Sequence, residues 1–433
     1  MGDKFKEHDD ALDEVFGKKK SINPVQKADI ILKNHELIYC ANEFYKYEDG
    51  YYRQIQELNI CMWIKRLLSL AFTKNRSNEI IHCLKTETLI DLDELNHSDF
   101  LNVRNGMLDL DNFELLPHKK EYRSTIRLNV DYDKTIKCPK WEAVLLDMFE
   151  GNKTKVSALQ EYFGLCLTKS TEYEKSLFLT GGGSNGKSVV LYVLCEILGR
   201  QNYSAIPMEL FEKSHYIASL FGKLANISIE TDSKSRVYDS MFKAIVSGDP
   251  IEADRKYQSS FVFRPFCKLI FALNKLPRVD DKTVAFFRRL LIINFGKQYS
   301  EEEQDKRLKY DLVRDELSGI FIWALEGLKR LRKRGNFQID MNMHNDVLLY
   351  QQENNNVLVF VDEKCDFQAG ARTYIKDLYE SYKDWCLSDG YKPSSKKNFV
   401  KEIDKNFKNV KKDRTRDGRQ LEGICLFVRT SVY

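Results

Sequence analysis

The segment GGGSNGKS at positions 181–188 constrains the fold of this chain more than any other. It fits the pattern G-x-x-x-x-G-K-[ST]. The apolar KSLFLT precedes it and the apolar SVVLYVLCEILG overlaps its end, so we predict a strand, a loop and a helix in that order. Glycines let main-chain N–H groups wrap around phosphates, and the positive end of the helix would face them. We therefore predict an α/β fold with a phosphate-binding loop, whose contacts are Gly181, Gly183, Ser184, Asn185, Gly186, Lys187 and Ser188.

Two later apolar segments end in polar residues at nearly equal spacing. NISIETD places Glu230 43 residues after Lys187, and LIFALN places Asn274 44 residues after that. Because the carboxyl ends of parallel strands meet at one edge of a sheet, these side chains would lie near the phosphates. With the Ser188 hydroxyl, a carboxylate there could hold Mg²⁺ and polarise an attacking water, and an amide could orient that water. The simpler alternative is that both residues only cap exposed strand ends.

A fourth apolar segment follows two arginines in FFRRLLIINF. An arginine at this position could stabilise the charge that develops on the transferred phosphoryl group of a neighbouring subunit. Either Arg288 or Arg289 could have this role. The arginine that does not have it could be a solvated surface charge.

Composition excludes several classes of protein. With 43% hydrophobic residues, 30% charged residues and a net charge of +4, the chain is not intrinsically disordered. No apolar run approaches the roughly 18 residues of a membrane helix, so we expect a soluble, cytoplasmic protein without a secretory signal or membrane contact. The ten cysteines include no C-x-x-C pair and the seven histidines are dispersed, which argues against zinc and against a disulfide framework.

We predict three domains: an α+β domain over 1–135, a nucleotide-binding domain over 136–345 and a terminal domain over 355–433. Alternating apolar residues predict two aromatic-rich strands around a Glu-Asp-Gly turn within residues 36–55. The later expectations are a helix over 302–334, a linker over 334–346, helices over 371–386 and 395–407, and strands over 407–412 and 421–429.

The end of the chain is more basic than the rest. From residue 391 onward, twelve Lys and Arg residues face five Asp and Glu residues. Two helices followed by a hairpin with a basic turn predict a winged-helix-like domain that binds duplex DNA, with the 395–407 helix as the recognition element. A solvated basic face is the alternative.

Taken in order, GGGSNGKS, NISIETD, DRKYQ, LIFALN and RRLLIINF resemble superfamily 3 helicases, the AAA+ hexameric DNA translocases of viruses, phages and plasmids. More narrowly, residues 85–345 are similar to the helicase part of phage and plasmid primase-helicases, including self-loading replication initiators of mobile genetic elements. The resemblance implies a hexamer that uses ATP and Mg²⁺ and moves 3′ to 5′ on single-stranded DNA.

Position by position, the resemblance implies that Lys187 and Ser188 contact ATP and Mg²⁺, that Glu230 is the acidic strand end and that Asn274 is the sensor. Arg289 matches the family's arginine finger better than Arg288. The family usually has two adjacent acids at the second motif, whereas Ile229 precedes Glu230 here, so a role for Asp232 in the Mg²⁺ site stays open.

The same resemblance assigns EADRKYQSSFVF to a DNA-contacting hairpin with Arg255, Lys256 and Tyr257 near its tip. A basic side chain beside an aromatic one can neutralise a phosphate and pack on a sugar or base. An ordinary surface hairpin is the alternative.

These observations predict a replicative helicase that unwinds DNA at the origin of a phage, plasmid or genomic island. Its partners would be single-stranded and forked DNA, origin duplex, other copies of the chain and replication proteins of the host. The competing hypothesis is an ATP-regulated origin-binding switch without unwinding activity. A small-molecule kinase is disfavoured because no acceptor site is evident, and DLDEL at 91–95 and DLD at 109–111 are weak support for a primase.

Overall fold

The computed structural model describes residues 23–97, 99–229, 239–255, 260–277, 279, 284–368, 370–391, 393–415 and 418–427. The chain divides into two compact units. One comprises Met1–Lys134 with Ile197–Asn202, and the other comprises Thr135–Glu196 with Tyr203–Tyr433.

The described residues of the first unit form three α-helices and two small antiparallel sheets. The helices are α1 (Pro24–Asn34), α2 (Glu57–Leu68) and α3 (Lys74–Glu87). One sheet consists of β1 (Leu37–Cys40), β2 (Glu43–Glu48) and β3 (Tyr51–Ile55). The other consists of β4 (Leu101–Val103), β5 (Gly106–Leu108) and β6 (Leu115–Leu116). Buried aliphatic side chains such as Ile60, Ile64, Ile80 and Leu84 join the helices into one core.

The predicted turn at Asp49 and Gly50 is confirmed, but residues 36–55 form three strands rather than two. Cys40 pairs with Glu43, and the two residues between them, Ala41 and Asn42, both have positive φ. Two such residues make the tight turn whose twist suits a two-residue hairpin. The extra hairpin is therefore hidden in a sequence without a glycine at its turn.

The second unit is built on a five-stranded parallel sheet. Its strands are β7 (Ser176–Thr180), β8 (Tyr203–Ser204), β9 (Ala225–Ile229), β12 (Lys268–Leu273) and β13 (Leu290–Asn294). Their spatial order is β13-β7-β12-β9-β8, and every pairing is parallel. All six residues of β12 are buried, as expected for a central strand covered on both faces. A separate antiparallel pair consists of β10 (Ile251–Ala253) and β11 (Phe261–Phe263).

Helices surround this sheet. They are α4 (Pro139–Met148), α5 (Lys153–Cys166), α6 (Lys187–Leu198), α7 (Ser214–Ile217), α8 (Asp239–Ser247), α9 (Val284–Phe287), α10 (Leu308–Arg334) and α11 (Met341–Glu353). The Glu161 carboxylate on α5 is fully buried and accepts hydrogen bonds from Arg330 Nε at 2.8 Å and Arg334 Nη2 at 2.5 Å on α10. This buried ion pair joins the two helices.

Two predicted boundaries in this region are wrong. The long helix begins at Leu308 rather than near Glu302, because the preceding residues form turns in which Ser300 N–H donates to the Glu303 carboxylate. The predicted linker contains the start of α11, where the Asp340 side chain accepts a hydrogen bond from Met343 N–H at 2.8 Å. An N-cap of this kind satisfies a main-chain donor of the first turn.

The C-terminal part of the second unit packs three helices against two small sheets. The elements are α12 (Asn356–Lys364), α13 (Ile375–Ser388), α14 (Lys396–Asn406), β14 (Cys365–Asp366), β15 (Arg372–Tyr374), β16 (Lys411–Thr415), β17 (Gly418–Glu422) and β18 (Cys425–Leu426). Phe360, Tyr382, Phe399 and Leu421 are among the side chains of its core.

The helix predicted over 395–407 is confirmed by α14, whereas the boundaries of its neighbours differ from prediction. The helix predicted from residue 371 begins at Ile375, after the short strand β15. In place of the strands predicted over 407–412 and 421–429, the ribbon consists of β16 (Lys411–Thr415) and β17 (Gly418–Glu422). Val410 N–H bonds back to Phe407 O in a turn, and Gly423, with φ +99°, ends β17.

In the part of the chain that the structure describes, no helix is both long and apolar enough to cross a bilayer.

Candidate nucleotide site

The predicted phosphate-binding loop joins β7 to α6, as its flanking sequence indicates. Thr180 ends the strand and Lys187 begins the helix. Gly186 between them has φ +90°, and a Cβ there would lie 2.7 Å from the Met148 sulfur. The left-handed backbone favours glycine at this position, and the end of the Met148 side chain would have to move to admit a Cβ.

Lys187 is folded onto its own loop. Its Nζ donates to Gly181 O at 2.7 Å, Gly182 O at 3.0 Å and Asn185 Oδ1 at 3.1 Å. The residue is only 8% exposed, and burial lowers the pKa of its ammonium group. Three neutral oxygens satisfy the three N–H donors, but none supplies the negative charge that a buried ammonium favours. A phosphate oxygen would supply that charge at the same position.

Asn185 holds the loop in shape. Its side-chain Nδ2 donates to Gly182 O at 2.6 Å, while its Oδ1 accepts from Lys187, and the residue is 3% exposed. Ser188, in the first turn of α6, is exposed. Its hydroxyl therefore remains available to a ligand such as Mg²⁺.

The carboxyl ends of the neighbouring strands lie level with this loop. Leu273 of β12 and Asn294 of β13 both pair with Thr180, so Asn274 follows its strand at the edge where Gly181 follows β7. Asn274 is exposed. In α/β sheets this edge is where ligands bind. Ile229 of β9 pairs with Ala272, and the predicted acids after it, Glu230 and Asp232, lie outside the described residues.

A second support of the loop was not predicted from the sequence. Tyr299 N–H donates to Ser184 O at 2.9 Å, and Tyr299 Oη donates to the Asp147 carboxylate at 2.7 Å. Lys297 Nζ binds the other Asp147 oxygen at 2.6 Å. These hydrogen bonds, first that from Lys297, lower the pKa of Asp147, whereas burial raises the pKa of the Tyr299 hydroxyl. About 150 residues separate the partners, so no local pattern could reveal the contact.

The two candidate arginines lie at the amino ends of the parallel strands, opposite the carboxyl ends that the loop follows. Leu290 at the start of β13 pairs with Ser176 at the start of β7, about 13 Å from the loop at the rise of a strand. Arg289 is nearly buried: its Nη2 donates to Ser247 Oγ at 2.7 Å and its Nη1 to Ala285 O at 2.6 Å. The Arg288 side chain is 51% exposed and forms an ion pair with Glu174 at 2.5 Å.

The predicted DNA-contacting hairpin corresponds to β10 and β11. The Arg255 guanidinium lies over aromatic rings, 5.0 Å from the centre of Phe261 and 5.9 Å from that of Phe221. Aromatic faces attract a guanidinium and hold it in place. Lys256 and Tyr257 lie outside the described residues.

Three sequence families match separate parts of the chain. Residues 28–150 match the family described as D5 N terminal like, and residues 352–423 match the family described as Poxvirus D5 protein-like. Residues 179–289, which contain the loop and both arginines, match a family of unknown function, DUF5906.

Two viral proteins are similar over longer stretches. "Putative helicase 121R" of Invertebrate iridescent virus 3 is 23% identical over 327 residues, which is 66% of this chain and 34% of that protein. "Putative helicase L207/L206" of Acanthamoeba polyphaga mimivirus is 24% identical over 282 residues, which is 54% of this chain and 27% of that protein. The matched regions thus span about a third of these relatives' length or less.

Solved structures of the NrS-1 C-terminal region share the fold. Two apo structures match with TM-scores of 0.54 and 0.55 at 11% identity, and each match covers 94% of this chain and 100% of the other. The protein is thus of mixed α/β architecture, with a parallel sheet, and shares its fold with that region. Together with the D5 families and the viral relatives, this confirms the predicted resemblance to the primase-helicases of phages and mobile genetic elements.

Proposed function

We propose that the chain is an ATP-dependent DNA helicase of superfamily 3 that unwinds DNA at a replication origin of a phage, plasmid or genomic island. The observation that carries this proposal is the geometry of Lys187. Its ammonium group lies within the loop between β7 and α6, at the sheet edge where Asn274 also lies. The family relationship adds support, since two relatives carry the name helicase.

In this proposal the site binds ATP with Mg²⁺. The Lys187 ammonium group leaves its three neutral oxygen acceptors and binds β- and γ-phosphate oxygens instead. The Ser188 hydroxyl is a ligand of the metal. Glu230 contributes a carboxylate to the metal or to the attacking water, and Asn274 orients that water. The parallel sheet and its loop agree with an AAA+ core.

The position of the arginines supports action between subunits. Because Arg288 and Arg289 directly precede β13, at the end of the sheet opposite the loop, neither is placed to reach a nucleotide on the same chain's loop. We propose a hexameric ring in which one of them reaches the next subunit's ATP. Greater exposure favours Arg288, whereas the family resemblance favours Arg289, which is bonded to Ser247.

DNA would be held at two places. Hydrolysis would move the hairpin of β10 and β11, with Arg255, Lys256 and Tyr257, along single-stranded DNA, 3′ to 5′ as in the superfamily. The basic C-terminal region, which we propose is winged-helix-like, would engage duplex at the origin. Replication proteins of the host remain proposed partners.

Replacing Lys187 tests the proposal directly. Lys187→Ala should reduce DNA-stimulated ATP hydrolysis at least about 100-fold, since it removes a charge that stabilises the phosphoryl transition state, and should abolish strand displacement on a forked substrate. Lys333→Ala, which removes an exposed lysine at the end of α10, is the matched control and should match wild type in both assays. Retained hydrolysis and unwinding in Lys187→Ala would refute the proposal.

The alternative function is an origin-binding switch in which ATP controls assembly. The basic C-terminal region and the loop fit both functions, but the switch gives no role to the hairpin. A wild-type protein that hydrolyses ATP and never displaces a strand would favour the switch. Lys256→Ala separates the two, because the helicase proposal predicts lost unwinding with ATP binding unchanged.

A further inference from the structure

A basic groove crosses the surface of the C-terminal region. It lies between the start of α13, the helix α14 and the ribbon of β16 and β17, and it encloses about 1130 Å³. Seven of its described lining residues are basic, against two carboxylates, Asp377 and Asp413. The side chains that contribute exposed positive charge are Lys376, Lys396, Lys397, Lys401, Arg414 and Arg419.

These six cations are not neutralised within the described chain. None of them forms an ion pair with a described carboxylate, whereas the seventh, Lys412, pairs with Asp404 at 2.7 Å. Exposed lysines usually gain little from pairing, so a lone cation would need no explanation. Six of them around one concave surface, however, produce a positive potential that attracts a polyanion.

The ribbon adds a second, geometric observation. Arg414 and Arg419 lie directly opposite each other in the ladder of β16 and β17. Like charges in directly opposed positions destabilise a sheet unless an anion lies between them. The pairs Lys412–Leu421 and Arg414–Arg419 share one face of the ribbon, and Leu421 on that face is buried against the core. Both arginines also line the groove, where a phosphate could bridge them.

The groove offers cations without surfaces for stacking. Tyr374 is the one aromatic residue among its described lining, and its ring lies 3.6 Å from the position that a Cβ on Gly418 would occupy. Phe399, the aromatic residue of α14, is fully buried. Single-stranded nucleic acid is generally held by stacking bases on aromatic side chains, so the lining favours a duplex, whose bases are already stacked.

The helix α14 presents mainly lysines to the groove. Its groove-lining residues are Lys396, Lys397, Val400 and Lys401, and amide side chains, which read adenine, are absent from the described lining. Lysine is a compact charge on a flexible chain, suited to phosphate contacts that carry no sequence information.

We infer that this groove grips the phosphate backbone of duplex DNA without reading its sequence. The inference deepens the proposed helicase function and rests on it: the C-terminal region supplies affinity for the duplex, and the choice of origin is made elsewhere.

The test measures binding of the full chain, without nucleotide, by fluorescence anisotropy. The probes are two duplexes of unrelated sequence, each of about two helical turns, or roughly 21 base pairs, and one single strand of the same length. The groove variant is Lys397→Gln with Arg419→Gln. The matched control is Lys405→Gln with Lys408→Gln, which removes the same charge from exposed lysines of the same region outside the groove.

Wild type should bind both duplexes with affinities within about threefold of each other. The groove variant should lose about tenfold in duplex affinity, and the slope of log affinity against log salt should fall by about two, as expected for two lost phosphate contacts. The control should stay within about twofold of wild type, and circular dichroism should show both variants folded.

Equal loss in the groove variant and the control would overturn the inference, as would a preference above about tenfold for one duplex, or a loss of single-strand affinity in the groove variant as large as its loss of duplex affinity. These outcomes are independent of the Lys187→Ala experiment. If Lys187→Ala keeps unwinding, the helicase proposal fails while duplex binding by the groove stays measurable. If the groove variant binds like wild type and Lys187→Ala is inactive, only the groove inference fails.

Discussion

The candidate nucleotide site of the parallel sheet and the basic groove of the C-terminal region hold their cations in opposite ways. Lys187 is buried, with three acceptors within 3.1 Å, in a loop shaped by Asn185 and by the hydrogen bond from Tyr299 N–H to Ser184 O. The cations of the groove are exposed, and six of seven have no carboxylate partner in the described chain. A buried, fully bonded charge suits one ligand geometry. Exposed charges suit a long anion that can shift in register.

The largest expected effect concerns the buried carboxylate of Glu161, which joins helices α5 and α10 of the second unit. Glu161→Ala leaves Arg330 and Arg334 without their buried carboxylate and should lower the free energy of unfolding by about 3 kcal/mol. Glu380→Ala breaks an exposed pair with Lys383 in the C-terminal region and should cost less than about 1 kcal/mol.

Thermal unfolding at low and high salt checks this difference. The Glu161→Ala loss should persist in about 1 M salt, whereas the small Glu380→Ala loss should disappear, because salt screens exposed pairs. Equal losses of unfolding free energy in both variants would mean that the buried ion pair contributes no more than the exposed one.

A smaller effect is expected from the glycines of the loop. Gly186→Ala places a Cβ against Met148 on a backbone with φ +90°, and should weaken nucleotide binding about tenfold. Gly296, which lies outside the loop, has no positive φ and only an ordinary contact, with Glu150 at 3.6 Å, at its Cβ position. Gly296→Ala is therefore the control and should change affinity less than threefold, as is typical for an unstrained site. Titration calorimetry with an ATP analogue gives both values, and equal affinities would show that loop shape does not matter.

The smallest effect concerns the support formed by Asp147 and Lys297. Because the pKa of Asp147 is lowered in the folded protein, its contribution is present above the ordinary value of 3.8 and lost as the pH falls through the lower folded value. The carboxylate is 56% exposed, so solvent screening limits the coupling with Lys297 to about 0.5 kcal/mol at pH 7.

A double-mutant cycle with Asp147→Asn and Lys297→Met measures this coupling by denaturant unfolding. The coupling should shrink when the measurement is repeated at pH values below 3.8. A coupling that is the same at neutral and acidic pH would mean that the contact is not ionic.

The two regions also differ in how far the sequence predicts them. The strand, loop and helix around residues 181–188 are confirmed, because glycine pattern and apolar runs are local signals. The contacts of Tyr299 and Asp147 with each other and with the loop could not be predicted, since tertiary packing brings them together. In the C-terminal region α14 was predicted, but the strands of the ribbon were displaced, because turns at Val410 and Gly423 override the apolar pattern.

The level ends of β7, β12 and β13 have a consequence for how such a chain can change in length. Thr180 is paired with both Leu273 and Asn294, and side chains alternate between faces along a strand. One residue inserted in the middle of β12 would move Asn274 out of line with the loop. It would also move the side chains of half of this fully buried strand to the opposite faces of the sheet. Insertions among the exposed polar residues 301–307 would leave that alignment intact, so natural length variation should collect there and avoid the strands.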